Sequence, residues 1–185
     1  DADGYADLSD TYKISGDSLY YQDGFATLPR GTLLIQETKA PEGYVLNGEV
    51  FVQQVKKPGD ATTVSTYNEP EVPDQVVRGD VELVKANELT QERMAGVPFR
   101  ITSATAESHI AVTDANGMLS TASGQASHAQ NANANDSATD GDGDGWPDYS
   151  AEWGVWFGEG DPDDSKGALP YDTYTIEELP CAANE

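Results

Sequence analysis

Leu28-Pro29-Arg30-Gly31-Thr32-Leu33-Leu34-Ile35-Gln36-Glu37 and, far downstream, Leu169-Pro170-Tyr171-Asp172-Thr173-Tyr174-Thr175-Ile176-Glu177-Glu178 are two copies of one pattern. Each opens with Leu-Pro, a turn pair, and then apolar and polar residues in alternation. A period of two places alternate side chains on opposite faces of an extended strand. In both copies Ile and Glu share a face, so the strand ends with a carboxylate on its apolar side. A pattern stated twice in one chain points to tandem repeats of one folding unit.

Working outward, short alternating runs continue along the chain, separated by Gly, Pro, Asn and Asp. The runs 31–38, 49–55, 62–68, 80–86, 97–103, 109–113 and 173–178 all predict strands, and Asn116-Gly117 marks a turn between two of them. Long helical periodicity is absent. The fold class expected is all-β: tandem immunoglobulin-like or prealbumin-like β-sandwich domains, each incomplete in this chain. Residues 1–70 are expected to hold the C-terminal part of one repeat. The Pro-rich acidic stretch 71–78 is expected to act as a linker, and 79–185 to hold the N-terminal part of a second repeat. An insertion over 124–166 interrupts that repeat. Its first half is Ala, Asn, Ser, Asp and Gly with little to bury, which predicts a surface excursion that is mobile unless something orders it.

Composition narrows the function. Asp and Glu number 33 against 10 Lys and Arg, a formal net charge of −23. Such a polyanion repels nucleic acid and anionic membranes, and suits solvated or cation-binding roles. No apolar run is long enough to span a bilayer. Cys181 is the only cysteine, so any covalent staple within the chain uses chemistry other than a disulfide.

Leu28-Pro29-x-Gly31-Thr32-x-x-Ile35-x-Glu37-Thr38-x-Ala40-Pro41-x-Gly43-Tyr44 resembles the glutamate-box region of the collagen-adhesin B-type, or SpaA-type prealbumin-like, domains of Gram-positive pilins and adhesins. Gly79-Asp80-Val81-Glu82-Leu83-Val84-Lys85 followed by Ala95-Gly96-Val97-Pro98-Phe99-Arg100-Ile101 is similar to that family's opening. The resemblance implies a spontaneous Lys–Asn isopeptide bond assisted by a buried Glu. It places the lysine at Lys85, the glutamate at Glu37 and Glu178, and the asparagine at Asn68. In that scheme burial neutralises both the amine and the carboxyl group, which the chemistry requires. Neither repeat is expected to hold a full triad. The first lacks a matching lysine, and the second ends before a matching asparagine. The bland alternative is a snorkelling Lys85 with ordinary edge glutamates.

The implied role is a structural stalk module of a bacterial cell-surface protein, extracellular and cell-wall-anchored or secreted. Its partners would be neighbouring repeats of the same chain. It would not be an enzyme beyond one intramolecular turnover. The alternative is an adhesive module that meets a host extracellular protein or glycan through a calcium-ordered insertion. Asp140, Asp142, Asp144 and Asp148 stand at positions 1, 3, 5 and 9 of an EF-hand-like loop, with Gly145 at position 6. Ala151 occupies position 12, and Glu152 comes one residue late. Calcium is the cofactor this pattern suggests; a solvated acidic linker is the competing reading. Trp146, Trp153, Trp156 and Phe157 form either an exposed binding surface or a satellite core. Arg78-Gly79-Asp80 is an integrin-type tripeptide, but it enters a predicted strand. His109 and His128 are not expected to form a site.

Overall fold

The computed structural model describes residues 8–28, 30–55 and 73–185, and it is all-β. Thirteen strands, β1 (Tyr20–Gln22), β2 (Phe25–Thr27), β3 (Gly31–Gln36), β4 (Tyr44–Val45), β5 (Val50–Val55), β6 (Gln75–Val76), β7 (Arg78–Gly79), β8 (Glu82–Val84), β9 (Pro98–Ser103), β10 (Ser108–Val112), β11 (Met118–Ser120), β12 (Leu169–Pro170) and β13 (Tyr174–Glu178), are joined by turns and two short 3-10 segments. All pairings are antiparallel. Strands β3, β5, β8, β9, β10 and β13 coincide with expected runs, their ends displaced by one or two residues, whereas β1, β2, β4, β6, β7, β11 and β12 fall outside those runs. The expected strand over 62–68 lies outside the described residues.

The chain divides into two compact units. In the first, β1 pairs with β2 and β3 pairs with β5, with Leu34 opposite Val52. None of its described residues is buried, and Leu34 and Val52 stand exposed.

The second unit takes in Pro41–Val45 and Asp74–Glu185. Part of the stretch expected as linker is therefore strand: β6 pairs with β4, and β7 with β12. Pro41–Val45, the tail of the first glutamate motif, is held here by Tyr171, whose hydroxyl donates to Glu42 Oε1 at 2.6 Å. Gly43 has φ +88°, and a Cβ there would sit 2.8 Å from the Tyr171 ring. Only glycine suits that position.

A three-stranded sheet in the order β10-β9-β13 carries the core of this unit. Alternation along β9 turns Phe99 and Ile101 to one face, in line with Val97 just before the strand, and all three are buried with Leu119, Phe157, Leu169 and Cys181. Along β10, Ile110, Ala111 and Val112 are all buried. Alternation allows this only where both faces are covered.

The second cover is the insertion, expected to be mobile unless something orders it, and here side chains tie it down. It packs through amide and carboxylate side chains rather than an apolar stripe. Asn133 accepts from Trp156 N at 2.9 Å and donates to Trp156 O at 2.8 Å, in the manner of a strand neighbour. Asn135 treats Ser150 the same way, at 2.9 and 3.0 Å. His128 is fully buried, with ring nitrogens 3.1 Å from Asp163 O and 3.0 Å from Thr121 O. Phe157 is fully buried and packs edge-on against His109 and Tyr174, at centroid distances of 4.6 and 5.3 Å. Of the two aromatic readings, Trp156 and Phe157 take the packed one, within the main core rather than a satellite.

The insertion is thus part of the hydrophobic core. Phe157→Ala is expected to cost about 3–5 kcal/mol, the usual range for truncating a buried aromatic. Chemical denaturation measures it, and a loss under about 1 kcal/mol would mean that the sandwich holds without this cover.

Candidate functional site

Lys85 follows β8. Its backbone is fixed by bonds from its N–H to Gly117 O and from Met94 N–H to its carbonyl, both 2.9 Å. Gly117, at φ +70°, lies so close to Arg93 and Met94 that a Cβ would collide with them. The Asn116-Gly117 turn therefore sets where the lysine stands. Glu178 ends β13, paired in register with Phe99 of β9. Ladder and turn together bring residues far apart in sequence to one point: Lys85 Nζ donates to Glu178 Oε2 at 2.7 Å.

The other carboxylate oxygen is also occupied. Asn184 Nδ2 donates to Glu178 Oε1 at 2.9 Å and to Leu179 O at 2.9 Å. Asn184 Oδ1 accepts from Cys181 N at 2.7 Å. One carboxylate thus holds a lysine amine on one oxygen and an asparagine amide on the other. Sequence reasoning assigned no asparagine to this repeat. The available signal was a carboxamide shortly after Glu178, at a distance that a turn can fold back.

The electrostatics run against the expected neutral pair. Lys85 and Glu178 side chains keep 24% and 35% of their exposure. Hydrogen bonding from Lys85 holds the Glu178 carboxyl below its ordinary 4.5, outweighing partial burial, and Asn184 adds to the effect. The observed state is an ion pair open to water at one side, beside a cavity of about 290 Å³ lined by Lys85, Met94, Glu178 and Asn184 among others.

Among the other expected residues, Glu37 accepts from Asn47 N at 2.8 Å, while Asn68 lies outside the described residues. Asp140, Asp142 and Asp144 offer carboxylate oxygens within 4.8 Å of one another. Asp148 joins their loop by accepting from Gly141 N at 2.9 Å. Glu152 is exposed and outside that group. The integrin-type tripeptide is engaged internally. Arg78 donates to the carbonyls of Phe157, Gly167 and Ala168 at 2.6–2.8 Å and lies 3.7 Å over the Trp156 ring. Asp80 accepts from Ala168 N and from the Thr121 hydroxyl.

Among the described residues the chain is all-β, built from small antiparallel sheets. The family model of the SpaA prealbumin-like fold domain matches residues 21–70. That stretch contains the first glutamate motif and β2 through β5. No curated protein matches the chain.

The lowered Glu178 sets a pH dependence. A carboxyl group held below its unfolded value stabilises the fold above that value, and the contribution is lost as pH falls through the folded value. The stability difference between wild type and Lys85→Met is expected at neutral pH and should shrink below pH 4.5. Denaturant unfolding at a series of pH values measures it. A pH-independent difference would assign the effect to packing of the lysine stem instead.

Proposed function

We propose that the chain is part of a stalk-type structural module of a bacterial surface protein, and that its second unit cross-links Lys85 to Asn184 under Glu178. The observation that carries this is the single carboxylate holding both reacting side chains. The match over residues 21–70 to the SpaA prealbumin-like fold domain supports the surface-protein context, and with it an extracellular, wall-attached or secreted location.

In the reaction Glu178 takes a proton from the Lys85 ammonium, which leaves a neutral amine. The amine attacks Asn184 Cγ, and a new C–N bond forms. The protonated carboxyl group polarises the amide oxygen and then passes protons to the departing nitrogen, which leaves as ammonia and carries the surplus lysine proton away as ammonium. The carboxylate returns to its starting state, and the site turns over once. The product ties the end of β8 to the segment after β13. By analogy with a disulfide the closed loop would add about 2–4 kcal/mol. The charged ground state makes exclusion of water the condition for proton transfer, because a low-dielectric setting favours the neutral pair. Intact mass spectrometry tests the reading: the expected species is lighter by one ammonia. Lys85→Ala, Glu178→Ala and Asn184→Ala should each retain full mass. A deficit that persists in Asn184→Ala would overturn this choice of acceptor.

A second reading, an adhesive surface tuned by calcium, is favoured by one observation, the convergence of Asp140, Asp142 and Asp144. Backbone N–H groups of Gly143 and Gly145 already orient both Asp140 oxygens, and spare lone pairs remain for a hard cation. Asp140, Asp142 and Asp144 would be the ligands. Calcium titration followed by calorimetry and Trp146 fluorescence should show saturable binding that Asp142→Asn weakens. Equal binding by that variant would assign any calcium uptake to diffuse surface charge.

A further inference from the structure

The two outer edges of the β10-β9-β13 sheet are treated differently. Ser108, Ile110 and Val112 turn their backbone groups away from β9, since Thr113 N–H bonds Val97 O on the β9 side. The insertion closes that edge with side chains. Asp136 Oδ1 accepts from Ile110 N at 2.9 Å, Asn135 Nδ2 donates to Ile110 O at 3.2 Å, and Gln125 Nε2 donates to Val112 O at 3.5 Å. At the opposite edge, Leu179 N–H bonds Pro98 O at 2.9 Å. Alternation then commits Thr175 and Glu177 to β9 and turns the backbone groups of Tyr174, Ile176 and Glu178 outward. Among the described residues β13 ends the sheet and pairs with β9 alone. Ile176, on the same face as Glu178, is 40% exposed.

The internal repeat indicates what such an edge takes. β3 is the sequence counterpart of β13, through Ile35-x-Glu37 and Ile176-x-Glu178. β3 pairs antiparallel with β5, Val50-Phe51-Val52-Gln53-Gln54-Val55. On β13 the edge facing β9 is taken, so a strand of this kind has only the outward edge to use. We propose that the outer edge of β13 accepts an antiparallel β-strand of the β5 type, apolar residues interleaved with uncharged polar ones. A strand there would lie along Ile176 and Glu178 and exclude water from the Lys85–Glu178–Asn184 cluster. That consequence, though not the docking itself, rests on the cross-linking reading above.

A synthetic peptide with the sequence Leu46–Val55 tests the docking, with the full chain as acceptor and residue-resolved amide exchange as readout. The amides of Tyr174, Ile176 and Glu178 should exchange on the order of tenfold more slowly with the peptide bound. A peptide carrying Val52→Pro, which lacks a ladder donor, should protect less. Ile176→Pro in the protein removes an outward N–H but none of the bonds to β9; it should abolish peptide protection and leave exchange in β9 and β10 unchanged. Unchanged exchange with the wild-type peptide, or equal protection by the proline peptide, would overturn the proposal. Intact mass in the same samples separates the two ideas. Protection with faster loss of ammonia supports both. Protection with no loss of ammonia leaves the acceptor edge standing and overturns the cross-link.

Discussion

A backbone N–H or C=O removed from water must find a partner, and strands of two to six residues leave many such groups beyond the reach of a ladder. In the second unit that constraint is met by side chains. Asp80 receives Ala168 N, Asp136 receives Ile110 N, Asp164 receives His128 N, and Glu107 receives Gly158 N. Thr113 receives Val97 N and passes its own proton to Met94 O. The core strands would not remain buried without these bonds, because each unpaired group costs on the order of 1–3 kcal/mol.

The same constraint accounts for part of the acidic composition. A carboxylate accepts without donating, so it suits an orphan N–H at a turn or strand end. Asp114 shows the effect on titration. Bonds from Met118 and Asn116 backbone N–H groups hold it below its ordinary value, outweighing the loss of hydration. Asp163, bonded by the hydroxyl and backbone of Ser165 and by Lys166, falls to about 2. Acidity in this chain is therefore partly architectural, beyond any role in solubility or cation binding.

Glu178 belongs to the same pattern but differs in kind. Its two oxygens hold side chains, an amine and an amide, instead of backbone. A structural acceptor needs only to be ionised and oriented. A proton shuttle needs an environment in which ionised and neutral forms lie close in energy. The geometry of the cluster meets the first requirement, and in the proposed reaction a strand docked on the edge of β13 would supply the second.

The sequence by itself determined strands β3, β5, β8, β9, β10 and β13, the repeat, the Asn116-Gly117 turn and the face of the strand on which Lys85 and Glu178 fall, because period-two alternation and turn chemistry are local. It also located the acidic loop, whose three aspartates converge through spacing alone. Other features depended on tertiary structure. The insertion has no apolar period, so its order was illegible; Asn133, Asn135 and His128 find partners only once Trp156, Ser150 and Thr121 are brought beside them. Arg78-Gly79-Asp80 reads as the entry to a strand, but its carbonyl partners at Phe157, Gly167 and Ala168 come from the far side of the insertion. Asn184 becomes a candidate reactant only when a turn folds it back onto Glu178. The pairing of Lys85 with Glu178 shows both limits at once. Alternation fixed the face each occupies, while their partial exposure follows from which edge of the sheet is covered.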